Sequence, residues 1–189
     1  MKPVGIFYTT REGQTRRIAR RVAGGLRARG FEVEVHDLRS CASDINLTRF
    51  SAAVLAASVH AGRHESEMVK FVKERVLQLA QVSAAFLSLT LSQAGAERPG
   101  APVEERARFA ADVQKMLEDF FQQTGWRPKY VKAVAGALLY SKYNMLVRFV
   151  MMRIAKKAGA PTDTSRDYEY TNWVSLDHFV DEFAHELGI

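Results

Sequence analysis

The sequence predicts an α/β fold, a three-layer sandwich around a five-stranded parallel sheet in the order 2-1-3-4-5. Three observations predict it. Short apolar runs alternate along the chain with longer stretches whose apolar residues recur every three or four positions, the signatures of strand and helix. Two of the runs, residues 52–58 and 84–89, are continuously small and apolar, as strands covered by helices on both faces must be. The first run passes directly into a Thr- and Gly-containing turn and then a helix, which opens a βαβ unit with a right-handed crossover.

In order, residues 4–8 form the first strand. Ile18, Val22 and Leu26 then set one face of a helix whose other face carries Arg16, Arg17, Arg20 and Arg21. Gly30 ends it, and Phe31, Val33 and Val35 alternate with Glu32, Glu34 and His36 in a strand with one wetter face. Residues 37–50 read as a loop with room for one helical turn. After the strand at 52–58, His60 to His64 reads as a polar loop, and Met68, Val72, Val76 and Leu79 form the stripe of a second helix. Following the strand at 84–89, the Gly- and Pro-containing residues 92–101 read as a loop. Pro102, Glu104 and Glu105 suit the first turn of a third helix with the stripe Phe109, Val113, Leu117 and Phe120. Gly125 and Pro128 break it. Residues 131–139 supply the fifth strand, and 173–187 the last helix, with Leu176, Val180 and Phe183 facing inward.

With 189 residues, 47% of them hydrophobic, the chain can bury one sizeable core, so residues 1–189 are expected to form one domain with insertions. Its one cysteine, Cys41, excludes an intramolecular disulfide and leaves too few thiolates for a structural zinc or iron–sulfur site, and no histidine spacing suggests a metal. This favours a reducing, cytoplasmic setting. The first apolar run is too short for a signal segment, and none approaches the roughly 20 apolar residues that span a bilayer. Charge is distributed unevenly. Residues 120–162 contain no Asp or Glu but hold Arg127, Lys129, Lys132, Lys142, Arg148, Arg153, Lys156 and Lys157. That segment therefore carries +8 of a net +6, leaving about −2 elsewhere, and points to an anionic lipid, an acidic small molecule or nucleic acid.

Ligands of such sheets bind beyond the carboxyl ends of the strands where strand order reverses, here the first and third. That places the run Thr10, Arg11, Glu12, Gly13, Gln14, Thr15 beside Ser58, Val59, His60, Ala61 and Gly62. The first run offers two hydroxyls, a glycine for close backbone approach and a helix N-terminus, which together suit a phosphate monoester. It lacks the Gly-Lys-Ser/Thr of a P-loop and the spacing of a dinucleotide fingerprint. The other reading of the same residues is an ordinary capped strand-to-helix turn.

The run resembles the flavodoxin signature of hydroxyl, any residue, hydroxyl, Gly, any residue, Thr, with Glu12 in place of a hydroxyl and expected to point away from the phosphate. The wider stretch TTREGQTRRIA resembles the menaquinone-dependent protoporphyrinogen IX dehydrogenases, a bacterial flavodoxin-like class. The resemblance recurs at residues 57–64, at 135–140 with Tyr143, and at 162–164 with 170–173, and so covers nearly the whole chain. It implies FMN as cofactor, with Ser58 to Gly62 and with Ser88, Leu89, Thr90 and Leu91 flanking the isoalloxazine ring. His60 and His64 sit where a histidine could donate a proton or stabilise reduced flavin, but a solvated loop histidine is the favoured reading of both.

The stretch 140–168 is too long for an ordinary connection. Its centre is apolar and rich in methionine, including Met151 and Met152, with Lys142, Arg148, Arg153, Lys156 and Lys157 around it. A helix of this kind can lie in a membrane surface with its cations toward anionic headgroups, or bound a pocket for a large flat ligand. Packing against its own domain or a second copy of the chain is the alternative. By resemblance this is the insertion that distinguishes the dehydrogenases from plain flavodoxins.

The expected function is therefore FMN-dependent oxidation of protoporphyrinogen IX, with menaquinone or another membrane quinone as acceptor, in haem synthesis at the inner face of the cell membrane. A flavodoxin electron shuttle and an NAD(P)H:quinone reductase are the rivals. Nucleic acid is not expected, because the basic residues are interleaved with Met, Leu and Val rather than displayed with exposed aromatics.

Overall fold

The computed structural model describes residues 2–41, 45–145, 147–149, 152–153 and 162–188. Five parallel strands make the central sheet: β1 (Val4–Thr9), β2 (Val33–Asp37), β3 (Ala52–His60), β5 (Ser83–Thr90) and β6 (Tyr130–Ala135). Their order is β2-β1-β3-β5-β6, which is 2-1-3-4-5 when only these five are counted. Registers such as Tyr8 with Ala56, Ala57 with Ser88 and Thr90 with Ala135 bring the carboxyl ends of the inner strands to one edge.

The period-two alternation of the strands sorts their side chains between two helical layers. Val4, Ile6, Val54 and Leu87 pack on one face beneath α1 (Gln14–Ala28) and the C-terminal helix. On the other face, Phe7, Leu55 and Phe86 meet α3 (Ser66–Leu79) and α5 (Val103–Thr124), where Phe86 stacks on Phe120 at 4.4 Å. The C-terminal helix, Trp173–Glu186, is numbered α6, after the short helices α2 (Leu38–Cys41) and α4 (Leu91–Ala96).

Four local readings need correction. Phe31 precedes β2, which begins at Val33. The polar loop at 60–64 is a hairpin, because Arg63–His64 turns back as β4 and pairs antiparallel with β3 through Ala61 and Gly62, both at positive φ. Part of the loop at 92–101 is α4, where the Thr90 side chain accepts a hydrogen bond from Ser92 N–H and so caps the first turn. The fifth strand breaks at Gly136, whose N–H bonds to Thr90 O while its carbonyl accepts from Tyr170 N–H. The chain beyond forms β7 (Ala137–Leu138), which pairs antiparallel with β8 (Tyr168–Glu169) at the far end of the insertion.

Candidate functional site

At the carboxyl end of β1 the chain turns within three residues. Thr10 Oγ1 accepts a hydrogen bond from Gly13 N–H at 2.9 Å, and Arg39 donates to Thr10 O at 3.0 Å, which fixes the loop against α2. Gly13 holds φ +103°, a left-handed conformation that favours glycine, and aims the following amides outward. The helix α1 then starts with no side-chain cap and no acidic residue in its first turn. Its leading N–H groups are left for a ligand, and the buried Thr15 Oγ1 beside them has no hydrogen-bond partner. Free amides, a positive dipole end and an orphaned hydroxyl are the features that an anion site requires.

That site opens into a cleft of about 620 Å³ that is open to solvent. Thr10, Glu12, Gln14 and Thr15 form its first wall, and Ser58, Val59 and His60 its second. Leu89, Thr90 and Leu91 close its floor. The structure therefore brings together most residues of the three predicted loops. Arg11 turns outward toward Glu67 at 3.9 Å, Gly13 shapes the loop without lining the cleft, and Ala61 and Gly62 sit exposed at the hairpin tip. Ser88 points to the opposite face of the sheet, where its hydroxyl meets His64 Nε2 at 2.8 Å.

His64 is not a solvated loop residue. It is buried against Phe86 and Phe120, and desolvation lowers its pKa to about 4. His60 faces the cleft, with Nε2 3.6 Å from Glu12 Oε2 and 3.6 Å from Glu65 Oε1. Glu12 thus reaches across the cleft mouth rather than into solvent. Glu65 is fully buried, and its Oε1 accepts a short hydrogen bond from Ser58 Oγ.

The remaining wall was not among the predicted cofactor residues: Gly136, Ala137, Leu139, Tyr143 and Val147. The only sequence signal for it was the motif at 135–140 with Tyr143. Burial, and secondarily the Glu12 carboxylate, push the Tyr143 hydroxyl up to about 12, so it is a neutral hydrogen-bonding group at neutral pH. Tyr140 is fully buried at the base of the insertion, with Tyr143, Tyr168, Tyr170 and Met152 packed around it. Asp167 accepts from both the N–H and the hydroxyl of Ser141 and ties the two arms of the insertion together.

Beyond this base the insertion is helical at Met145, at 147–149 and at 152–153, and three of its described apolar side chains are uncovered. Met145 is 88% exposed, Phe149 52% and Val147 40%. Lys142 and Arg153 are exposed beside them, Arg153 lying over the Phe149 ring, while Arg148 turns inward to Tyr143 O. Met152 faces the tyrosines rather than the cleft. Met151, Lys156 and Lys157 lie outside the described residues. No helix among the described residues is long and apolar enough to cross a membrane.

The flavodoxin-domain profile matches residues 5–165. Protoporphyrinogen IX dehydrogenase (quinone) of Escherichia coli (strain K12) is 30% identical over 180 residues, spanning 95% of this chain and 93% of that one. The protein of the same name from Leishmania major is 27% identical over 183 residues, spanning 95% and 73%. A short-chain flavodoxin associated with a non-canonical PDU bacterial microcompartment aligns over 100% of both chains with a TM-score of 0.55 at 13% identity, a likeness of fold. The chain belongs to the flavodoxin-domain family, within its group of quinone-linked protoporphyrinogen IX dehydrogenases.

Proposed function

We propose that this chain, as one domain over 1–189, binds FMN in the cleft, oxidises protoporphyrinogen IX to protoporphyrin IX and passes the electrons to a membrane quinone, menaquinone, in haem synthesis. The observation that carries the reading is the uncapped start of α1, with the orphaned Thr15 hydroxyl opening beside an apolar slot. These residues fit the cofactor. Thr10, Gly13, Thr15 and the amides of the first turn suit its phosphate, and Leu89, Leu91, Ala137 and Leu139 suit a flat ring. When bound, the isoalloxazine supplies the two-electron chemistry.

The chain's own residues then bind, orient and exclude water. Tyr143 and Val147 cover one side of the cleft from the insertion, and Ser58, Val59 and His60 border the other. The exposed Met145, Val147 and Phe149, with Lys142, Arg153, Lys156 and Lys157, suit an anionic membrane surface from whose inner face the quinone is met. Cations of the same segment suit the two propionates of the tetrapyrrole. The test is an anaerobic assay of FMN-loaded protein with protoporphyrinogen and a menaquinone analogue in vesicles, followed by porphyrin fluorescence. Flavin-dependent porphyrin formation is expected. A protein that NAD(P)H reduces rapidly but that makes no porphyrin would be a quinone reductase instead.

A further inference from the structure

Two buried polar atoms beside the cleft, His60 Nε2 and Glu65 Oε2, have no hydrogen-bond partner among the described residues. Glu65 immediately precedes α3, where its carbonyl accepts from the N–H groups of Met68 and Val69 at 3.1 Å each and its own N–H donates to Ser58 O at 3.3 Å. The backbone thus fixes it directly behind β3. Its side chain has 0% exposure and one hydrogen-bond donor, the Ser58 hydroxyl. A carboxylate buried with half its acceptors unused is costly, and an apolar residue of similar size would serve stability better. Buried polar atoms left without partners in this way call for an explanation, and a functional role is one.

His60 Nε2 is 3.6 Å from Glu65 Oε1 on the buried side and 3.6 Å from Glu12 Oε2 on the cleft side. A proton on that nitrogen has a carboxylate on either hand, one inside the protein and one at the cleft wall. The hairpin that presents the ring has Ala61 at φ +49°, the one non-glycine residue at positive φ among those described, so local backbone strain is accepted to place it. The other charged or titratable groups around it are few. Tyr143 faces Glu12 from the insertion, Arg63 is exposed across the hairpin, and Arg11 is turned to Glu67 in the first turn of α3.

We propose that His60, held between Glu12 and Glu65, takes up and returns the proton of the redox cycle, an inference that rests on the flavin reading of the cleft. Two-electron oxidation of a reduced tetrapyrrole at one methylene bridge breaks a C–H bond of that bridge and the N–H bond of an adjoining pyrrole. With FMN bound, the flavin would take the hydrogen of the C–H bond as hydride, and His60 Nε2 would take the N–H proton. A quinone then takes two electrons and two protons, one proton with the electrons from the flavin and the other from His60, which returns to its neutral form. Glu65 is a positioning residue here, holding the ring and balancing its charge from behind.

Wild-type protein is first titrated with FMN, and failure to take it up would overturn the flavin reading and the relay together. With FMN bound, flavin reduction by protoporphyrinogen is followed by stopped flow from about pH 5 to 9. In His60→Gln the rate should fall about 10²- to 10⁴-fold and lose its dependence on one proton acceptor. Glu65→Gln should lose roughly tenfold and show a displaced pH profile, a change that a merely structural role would not produce. If Glu65→Gln fails to fold, Glu12→Gln serves in its place with the same expected displacement. Independently of turnover, long-range ¹H–¹⁵N spectra of the apoprotein should find the proton of neutral His60 on Nδ1, leaving Nε2 bare to receive the substrate proton. Wild-type rates and profiles in both variants, in protein that takes up FMN, would overturn the relay and leave the cofactor reading standing, as would a neutral ring that already carries its proton on Nε2.

Discussion

Thr15 and Tyr143 face one cleft from opposite walls, and the two regions that present them are held very differently. The loop before α1 is fixed from within the sheet: Thr10 closes its turn, Arg39 clamps it from α2, and Ile18, Val22 and Leu26 anchor the helix in the core. The insertion rests on a small separate cluster around Tyr140, and its outer face leaves Met145 and Phe149 uncovered. One region is held rigidly by the sheet, and the other leaves its apolar side chains open to a surface. They are joined by Gln14, whose Nε2 donates to Glu169 Oε1 at 2.6 Å and to Thr171 Oγ1 at 2.9 Å, so that the first residue of α1 holds the returning arm of the insertion. Thr171 passes the contact on by donating to Ala135 O.

The largest expected effect separates the two regions outright. Changing Lys142, Arg153, Lys156 and Lys157 together to Glu removes attraction of about 1 kcal/mol per cation and should weaken sedimentation with anionic vesicles roughly thousandfold. Arg148 is spared because it bonds Tyr143 O at the cleft. FMN affinity in that variant should stay within about threefold of wild type, since the proposed phosphate site lies in the other region. Loss of both activities together would mean that the regions are not separable.

A somewhat smaller effect concerns the sheet behind the loop. His64 has a folded pKa of about 4 against an ordinary value near 6.5, so its contribution to stability is fully present above pH 6.5. It is lost as pH falls from there toward 4, by about 3 kcal/mol in all. Urea unfolding across this range should show that loss, and His64→Phe should flatten it. An equal acid slope in the variant would show that other groups govern the response.

Thr15→Val tests the loop itself. Removing the hydroxyl proposed to bond the charged phosphate should cost about 1.5–3 kcal/mol, or roughly ten- to hundredfold in FMN affinity by fluorescence titration. The smallest effect falls on the joint between the regions. Gln14→Ala should cost about 1 kcal/mol, seen as roughly fivefold faster amide hydrogen exchange over residues 168–171.

The sheet order and the loop before α1 were legible in the sequence because both rest on local signals. Residues 52–58 and 84–89 must be covered on both faces wherever they lie, and the Thr10 to Thr15 turn is decided by residues within a few positions of one another. His64 was misread because its burial depends on Phe120, more than 50 positions away, and on a hairpin turn that needs Ala61 at positive φ. The helix α4 was missed because Gly95 looked like a loop residue. In the fold it is small by necessity, since a Cβ there would lie 2.5 Å from the Phe109 ring. Tyr143 and Val147 reach the cleft only because β7 and β8 pair across an insertion of some thirty residues, a contact that no local pattern announces.

The most direct test of the whole account is equilibrium binding of FMN and of riboflavin to the same apoprotein. If the start of α1 is a phosphate site, FMN should bind one per chain, and riboflavin, which lacks the phosphate, at least about a hundredfold more weakly. Equal affinity for the two, or no binding of FMN, would contradict it.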